Sequence, residues 1–174
     1  MEIVGKRIYL RILSSEDVGD NYVKWMRDEE TVRFLESRWK TYTLENLKEY
    51  VKKINESRAD LLFGIFLREN NEHIGNIKIG DMDQVHQQGN VGIMIGDKNS
   101  WGKGCAKESI QLVTKYAFEG LNLNKLTAGI YGNNIGCYKA FLNAGYNEAG
   151  RLKRHVFYKG KFVDTILVEK IDHR

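Results

Sequence analysis

The chain has 174 residues, 42% of them hydrophobic and 29% charged, with a net charge of +4 and two cysteines, Cys105 and Cys137. That length and balance suit one domain over residues 1–174 with a buried core, and they exclude both a disordered chain and a disulfide-built miniprotein. No apolar run approaches membrane-spanning length, the N-terminal MEIVGKRIYLRIL alternates instead of forming a leader, and the mild charge falls short of a nucleic-acid stripe, so we expect a cytoplasmic protein with neither membrane nor nucleic acid as partner.

In chain order, RIYLRI (7–12) reads as a strand. Ser14 with Asp17 reads as a capping box opening a helix that runs through Trp25. A second helix starts near Thr43, with Leu44, Leu47, Val51 and Ile54 on one face. LLFGIFL (61–67), the turn RENNEH and IGNIKIG (74–80) read as an antiparallel hairpin. A polar loop follows, then a buried-looking strand, NVGIMIG (90–96). A long helix spans about 104–119, and Gly120 with Leu121 reads as its glycine C-cap. KLTAGIY (125–131) is another strand, 135–143 a short helix, and the last element a hairpin turning at Lys159-Gly160. With no proline in the chain, the turns fall to Gly, Asn and Asp. The alternation predicts an α/β protein with a mixed sheet.

SWGKGCAKESI (100–110) sits where a strand hands over to a helix. Glycines there leave backbone N–H groups uncovered, and the helix start adds its positive dipole end, which suits a pyrophosphate. A plain glycine turn that caps the helix and binds nothing fits the stretch equally well. The Walker pattern fails, because five residues separate Gly96 from Gly102 and Gly104 follows Lys103. The dinucleotide pattern fails too, with Lys107 where its third glycine belongs.

With Trp101, Gly104 and Ala106 at its three marked positions, the stretch resembles the acetyl-CoA loop of the GNAT superfamily of N-acetyltransferases. The aromatic at Trp101 is similar to the subgroup of ribosomal-protein N-acetyltransferases, and residues 86–170 look like the spermidine acetyltransferases. NNIGCYKAFLNAGYNEAG (133–150) resembles the family's second motif through Asn134, Phe141 and Gly145-Tyr146. The likeness covers nearly the whole chain. It implies a mostly antiparallel central sheet, splayed at its fourth and fifth strands and flanked by helices on both faces.

The resemblance implies acetyl-CoA as co-substrate and no metal. It assigns the cofactor to Trp101, Gly102, Lys103, Gly104, Cys105, Ala106 and Lys107, and to Asn134, Cys137, Tyr138 and Phe141 of the second motif. Backbone groups of Ile93, Met94 and Ile95 would bond the pantetheine arm, with the Met94 N–H as oxyanion donor. The family's usual base position holds Asn90, which takes no proton; Asp81, Asp83 and His86 in the preceding loop are candidates, His86 having the natural pKa, beside a water relay. The usual acid position holds Phe141, leaving Tyr138 one turn earlier, or solvent, to protonate the thiolate. Cys137 reads as a packing residue, and the four histidines show no metal-ligand spacing.

Two segments could wall an acceptor: 25–39, with Trp25, Phe34 and Trp39 among Arg27, Asp28, Glu29 and Glu30, and the basic 151–162. The acceptor is expected to be a small-molecule primary amine, a nucleotide-linked amino sugar being one form. A protein N-terminus, a polyamine, and a non-catalytic acyl-CoA sensor are the alternatives. Nothing in the residues decides between a monomer and a homodimer.

Overall fold

The computed structural model describes residues 2–173. Its strands are β1 (Glu2–Val4), β2 (Ile8–Ile12), β3 (Leu61–Leu67), β4 (His73–Asp83), β5 (Gln88–Ile95), β6 (Lys125–Tyr131), β7 (Asn147–Tyr158) and β8 (Lys161–Ile171). Its helices are α1 (Asp20–Arg27), α2 (Glu29–Val32), α3 (Leu44–Glu56), α4 (Cys105–Glu119) and α5 (Ile135–Asn143). The strands form one sheet in the order β1-β2-β3-β4-β5-β6-β8-β7. Every neighbouring pair is antiparallel except β5 and β6, which run parallel.

Alternation along the strands divides the core between two faces. Val91, Leu126, Ala128 and Ile130 pack with Ile110, Val113 and Ala117 of α4 on one face. Leu13, Leu62 and Phe66 pack with α1 and α3 on the other. Leu47 and Val51 of α3 are fully buried there, and each such side chain contributes about 2 kcal/mol over leaving it exposed. Thr43 starts α3 as expected, exchanging hydrogen bonds with Asn46. The mixed sheet with helices on both faces matches the expected architecture, and the three-residue β1 makes the expected fourth and fifth strands β5 and β6.

Local expectations are corrected in three places. The Ser14–Asp17 capping box is present but opens only a 3-10 turn, Ser15–Asp17. Both Asp17 oxygens are taken by Arg11, at 2.6 and 2.7 Å, and Gly19 in an extended conformation restarts the chain into α1. The polar loop shrinks to residues 84–87, because β4 runs on to Asp83, whose carboxylate accepts the Val85 and His86 amides. Gly120 stays right-handed at φ −97°, and the left-handed residue after α4 is Asn122, φ 55°.

Candidate active site

Strands β5 and β6 are in register for only three pairs, Gln88–Lys125, Gly89–Leu126 and Asn90–Thr127. Beyond them β5 follows β4 as far as Ile95, and β6 follows β8 as far as Tyr131. The two strands therefore part, and the wedge opens into a cavity of about 780 Å³. Ile93 and Ile95 lean on the α4-side core, whereas Met94 packs towards the α1–α3 side. Continuing the register puts Gly92 level with Gly129, and Met94 level with Tyr131; all four line the cavity.

The loop that closes one end of the wedge is built around two left-handed glycines, Gly102 at φ 72° and Gly104 at φ 84°. Gly104 caps α4, and its carbonyl accepts the Glu108 amide, so the amides of Cys105, Ala106 and Lys107 open the helix without helical partners. A 15-residue helix aims its positive end there. Glu108, the acidic residue of that first turn, is turned aside: its Oε1 accepts the Lys6 and Arg7 amides at 2.5 and 3.0 Å. Arg7 Nη1 donates to the Lys103 carbonyl at 2.5 Å and ties the loop to β2. Trp101 Nε1 donates to the Ile95 carbonyl at 2.8 Å, holding the loop against the end of β5. That bond engages one of the backbone groups expected to serve the pantetheine arm.

Helix α5 forms the third side. Asn134 caps it, accepting the Cys137 amide at 3.3 Å, and Cys137, Ala140 and Phe141 face the cavity. Burial pushes the Cys137 thiol up to about 12, which keeps it neutral.

The fourth side comes from the expected acceptor segment 25–39, joined to a residue outside the expected set, Tyr131. Tyr131, at the end of β6, donates its hydroxyl to Glu36 Oε1 at 2.5 Å and accepts from Arg38 Nη1 at 2.6 Å. Arg38 also donates to the Phe157 carbonyl of β7 at 3.0 Å, fastening the segment after α2 to the hairpin. Phe34 contacts both the Tyr131 and Tyr158 rings. Burial, with Glu36 adding to it, raises the Tyr131 pKa, so the phenol stays protonated.

Residues 7–147 match the family model described as Acetyltransferase (GNAT) domain. The chain belongs to the GNAT acetyltransferase family. It is an acetyl-CoA-dependent N-acetyltransferase. It is 27% identical over 166 residues to the uncharacterized N-acetyltransferase p20 of Bacillus licheniformis, covering 93% of this chain and 91% of that one. Its fold is similar to a ribosomal-protein-S5-alanine acetyltransferase from Vibrio fischeri, with a TM-score of 0.86, 19% identity, and 99% and 97% of the two chains covered. It is also similar to spermidine N-acetyltransferase from Vibrio cholerae in complex with CoA and spermine, with a TM-score of 0.84, 20% identity and 96% of each chain covered. The glycine loop, the uncovered amides of α4 and the open wedge fit CoA: the first two suit its pyrophosphate and the third its narrow arm.

In this GNAT acetyltransferase most of the residues expected to hold acetyl-CoA converge: Ile93, Met94, Ile95, Trp101, Gly102, Gly104, Cys105, Ala106, Lys107, Asn134, Cys137 and Phe141 line one cavity. Lys103 turns to a neighbouring groove with Lys6, Arg7 and Arg68. Tyr138 does not join them. One helical turn spans 3.6 residues, so a three-residue step rotates it away from Phe141, and its hydroxyl donates to Glu148 of β7 at 2.7 Å. His86 does not join them either. It is exposed in the turn before β5, and Gln88 to Met94 alone is about 20 Å of strand. Asp81 and Asp83 share that far end.

The two expected acceptor walls divide similarly. Phe34, Glu30 and Arg33 reach the cavity, whereas Trp25 packs against Gly96 and His73, and Trp39 is 75% exposed. Arg151 pairs with Glu148, and Lys153 and Arg154 lie exposed on the edge strand β7.

Proposed function

We propose that the acceptor is the primary amine of a small molecule carrying one positive charge and a flat or apolar body, which enters the wedge beside Phe34 and Glu36. The observation that carries this reading is the charge balance at that end of the cavity. Glu30 is met by Lys98 at 2.8 Å and by Arg33 at 3.5 Å. Glu36 shares its corner with Arg38 through Tyr131. One carboxylate edge suits one ammonium group, and the neighbouring cations count against a polycation such as spermidine. An amino sugar carried on a nucleotide is the form of this acceptor that Phe34 and Arg33 suit, through a flat base and a phosphate.

Acetyl transfer then needs little from side chains. The Met94 amide expected for this role turns to β4 instead, because Met94 stands opposite Asn76 and, two residues outward, the Gly96 N–H donates to the Ile74 carbonyl. The amides of Ile93 and Ile95, on the other edge of β5, are the donors that would meet the thioester oxygen as charge develops on it. The amides of Cys105, Ala106 and Lys107 hold the pyrophosphate, and the apolar walls of Ile93 and Phe141 keep water from the arm. Held reactants supply much of the rate by proximity alone. The test is thiol release from acetyl-CoA across nucleotide-linked amino sugars, simple monoamines, spermidine and N-terminal peptides. Release with monoamines or amino sugars agrees with the proposal; release with spermidine alone overturns the acceptor class.

A further inference from the structure

The reaction moves one proton from the attacking amine to the departing sulfur, and the residues expected to carry it are out of place. Phe141 has no proton to give, Tyr138 is turned to Glu148, Asn90 is an amide, and His86 stands at the far end of β5. Tyr131 has a proton, lines the cavity, and stands level with Met94 across the gap between the strands. It shares that face of the sheet with Met94, since Ala128 and Ile130 point to the α4 side. Its hydroxyl already forms a chain of short bonds, Arg38 to Tyr131 to Glu36, and Glu36 also faces the cavity.

We infer that Tyr131 gives its proton to the departing sulfur and regains one from the acceptor amine by way of Glu36. The inference rests on the acetyl-transfer reading of the wedge. As the amine nitrogen bonds to the thioester carbon, its N–H becomes acidic enough for a carboxylate, and Glu36 accepts that proton. The C–S bond breaks with its electron pair on sulfur, Tyr131 donates its O–H to the sulfur, and protonated Glu36 returns a proton to the phenolate. The ammonium form of the acceptor gives its extra proton to water before attack; in the relay itself the amine has then lost one proton, the thiol has gained one, and Tyr131 and Glu36 end as they began.

Arg38 is a positioning residue in this scheme. It donates to the Tyr131 oxygen and holds the phenolate during its brief existence. The charged groups facing Tyr131 are Glu36 and Arg38 from the segment after α2. From β7 it meets the Tyr158 ring, and on β8 the carboxylate of Asp164 is taken by the Arg154 amide at 2.9 Å. On α5, Cys137 is neutral, and Lys139 lines the same cavity without being among the charges that act on Tyr131.

The test uses CoA itself, whose thiolate stands in for the leaving group, and reads the thiolate by ultraviolet absorbance as the bound complex is titrated. The chain's own thiols stay silent, because burial raises both Cys105 and Cys137. A hydrogen bond to a charged group is strong enough that Tyr131→Phe should cut the bound thiolate fraction about tenfold at a fixed pH. CoA affinity below the thiol titration should stay unchanged. Glu36→Gln removes a negative charge and frees the phenol to turn to sulfur, so it should raise the thiolate fraction. Opposite shifts from two conservative changes are not what a merely disturbed fold gives. Identical titrations in wild type and Tyr131→Phe, or no rise in Glu36→Gln, would overturn the relay while leaving the CoA site intact. Failure of the wild-type protein to bind CoA would overturn the wedge reading and the relay with it.

Discussion

Gly92 of β5 and Gly129 of β6 face each other across the gap where the two strands part, two residues beyond the last registered pair, Asn90 and Thr127. Packing does not require glycine at either position. A Cβ on Gly92 would meet nothing within 4 Å, and one on Gly129 would touch Thr165 at an ordinary 3.5 Å. What their missing side chains leave is open space on the face that carries Met94 and Tyr131.

Filling that space should stop the reaction without unfolding the protein. Gly92→Leu is expected to shift stability by less than about 0.5 kcal/mol. Misplacing the acceptor should cost about a hundredfold in kcat/KM, with acetyl-CoA affinity little changed. Denaturant melts, calorimetric binding and steady-state kinetics check the three parts; unchanged kinetics would remove this face as the acceptor route.

Gly104 is constrained twice, by its left-handed φ of 84° and by Arg7 Nη1, 2.8 Å from where its Cβ would stand. Gly104→Val is expected to cost about 1–3 kcal/mol of stability. Displacing the amides of α4 should also raise the acetyl-CoA Kd at least about tenfold, the loss of one good hydrogen bond to a phosphate. Calorimetric titration decides it, and an unchanged Kd would mean that the loop is only a turn.

Cys137 lies in the cavity, yet its thiol is pushed up to about 12 by burial. At neutral pH that leaves roughly one thiolate in a hundred thousand, too little for a covalent acetyl carrier. Cys137→Ala should therefore keep kcat within about threefold, as a small buried truncation away from the reacting atoms would. Mass spectrometry of the enzyme mixed with acetyl-CoA should find no acetyl group on this residue.

Asp17 reports on the α1 side of the core. Burial alone would raise its pKa, but the Arg11 and Ser14 hydrogen bonds outweigh it and bring the carboxyl from 3.8 down to about 2. A carboxyl depressed by folding stabilises the protein above its unfolded pKa, and that contribution is lost as pH falls from 3.8 through about 2. Asp17→Asn should cost about 2 kcal/mol at neutral pH and flatten this acid limb. Urea denaturation of both proteins over that range measures the difference.

The cofactor half of the site was legible in the sequence because it is local. Trp101 to Lys107 is one continuous stretch whose glycines, cap and helix start all act within a few residues, and Asn134 to Phe141 is a single helix. The acceptor half was legible only in outline, as the segment 25–39 whose Phe34 reaches the cavity, and its join to Tyr131 was not. Tyr131, Glu36 and Arg38 meet across 93 and 95 residues of chain, and KLTAGIY carries no sign beyond that of a buried strand. Register could have found Tyr131, since counting four residues on from Asn90 and Thr127 sets it level with Met94. His86 misled because its intrinsic pKa is suited to base catalysis, while strand length decides whether it can reach. Tyr138 misled because three residues along a helix are near neighbours yet do not point the same way.

The measurement that tests the account most directly is thiol release from acetyl-CoA by the purified protein, run with and without each amine and repeated with Gly104→Val. The account predicts release that requires a monoamine acceptor and falls in the variant through a raised acetyl-CoA KM. Contradiction would be a protein that neither binds acetyl-CoA nor releases thiol with any amine, or one whose release is indifferent to Gly104.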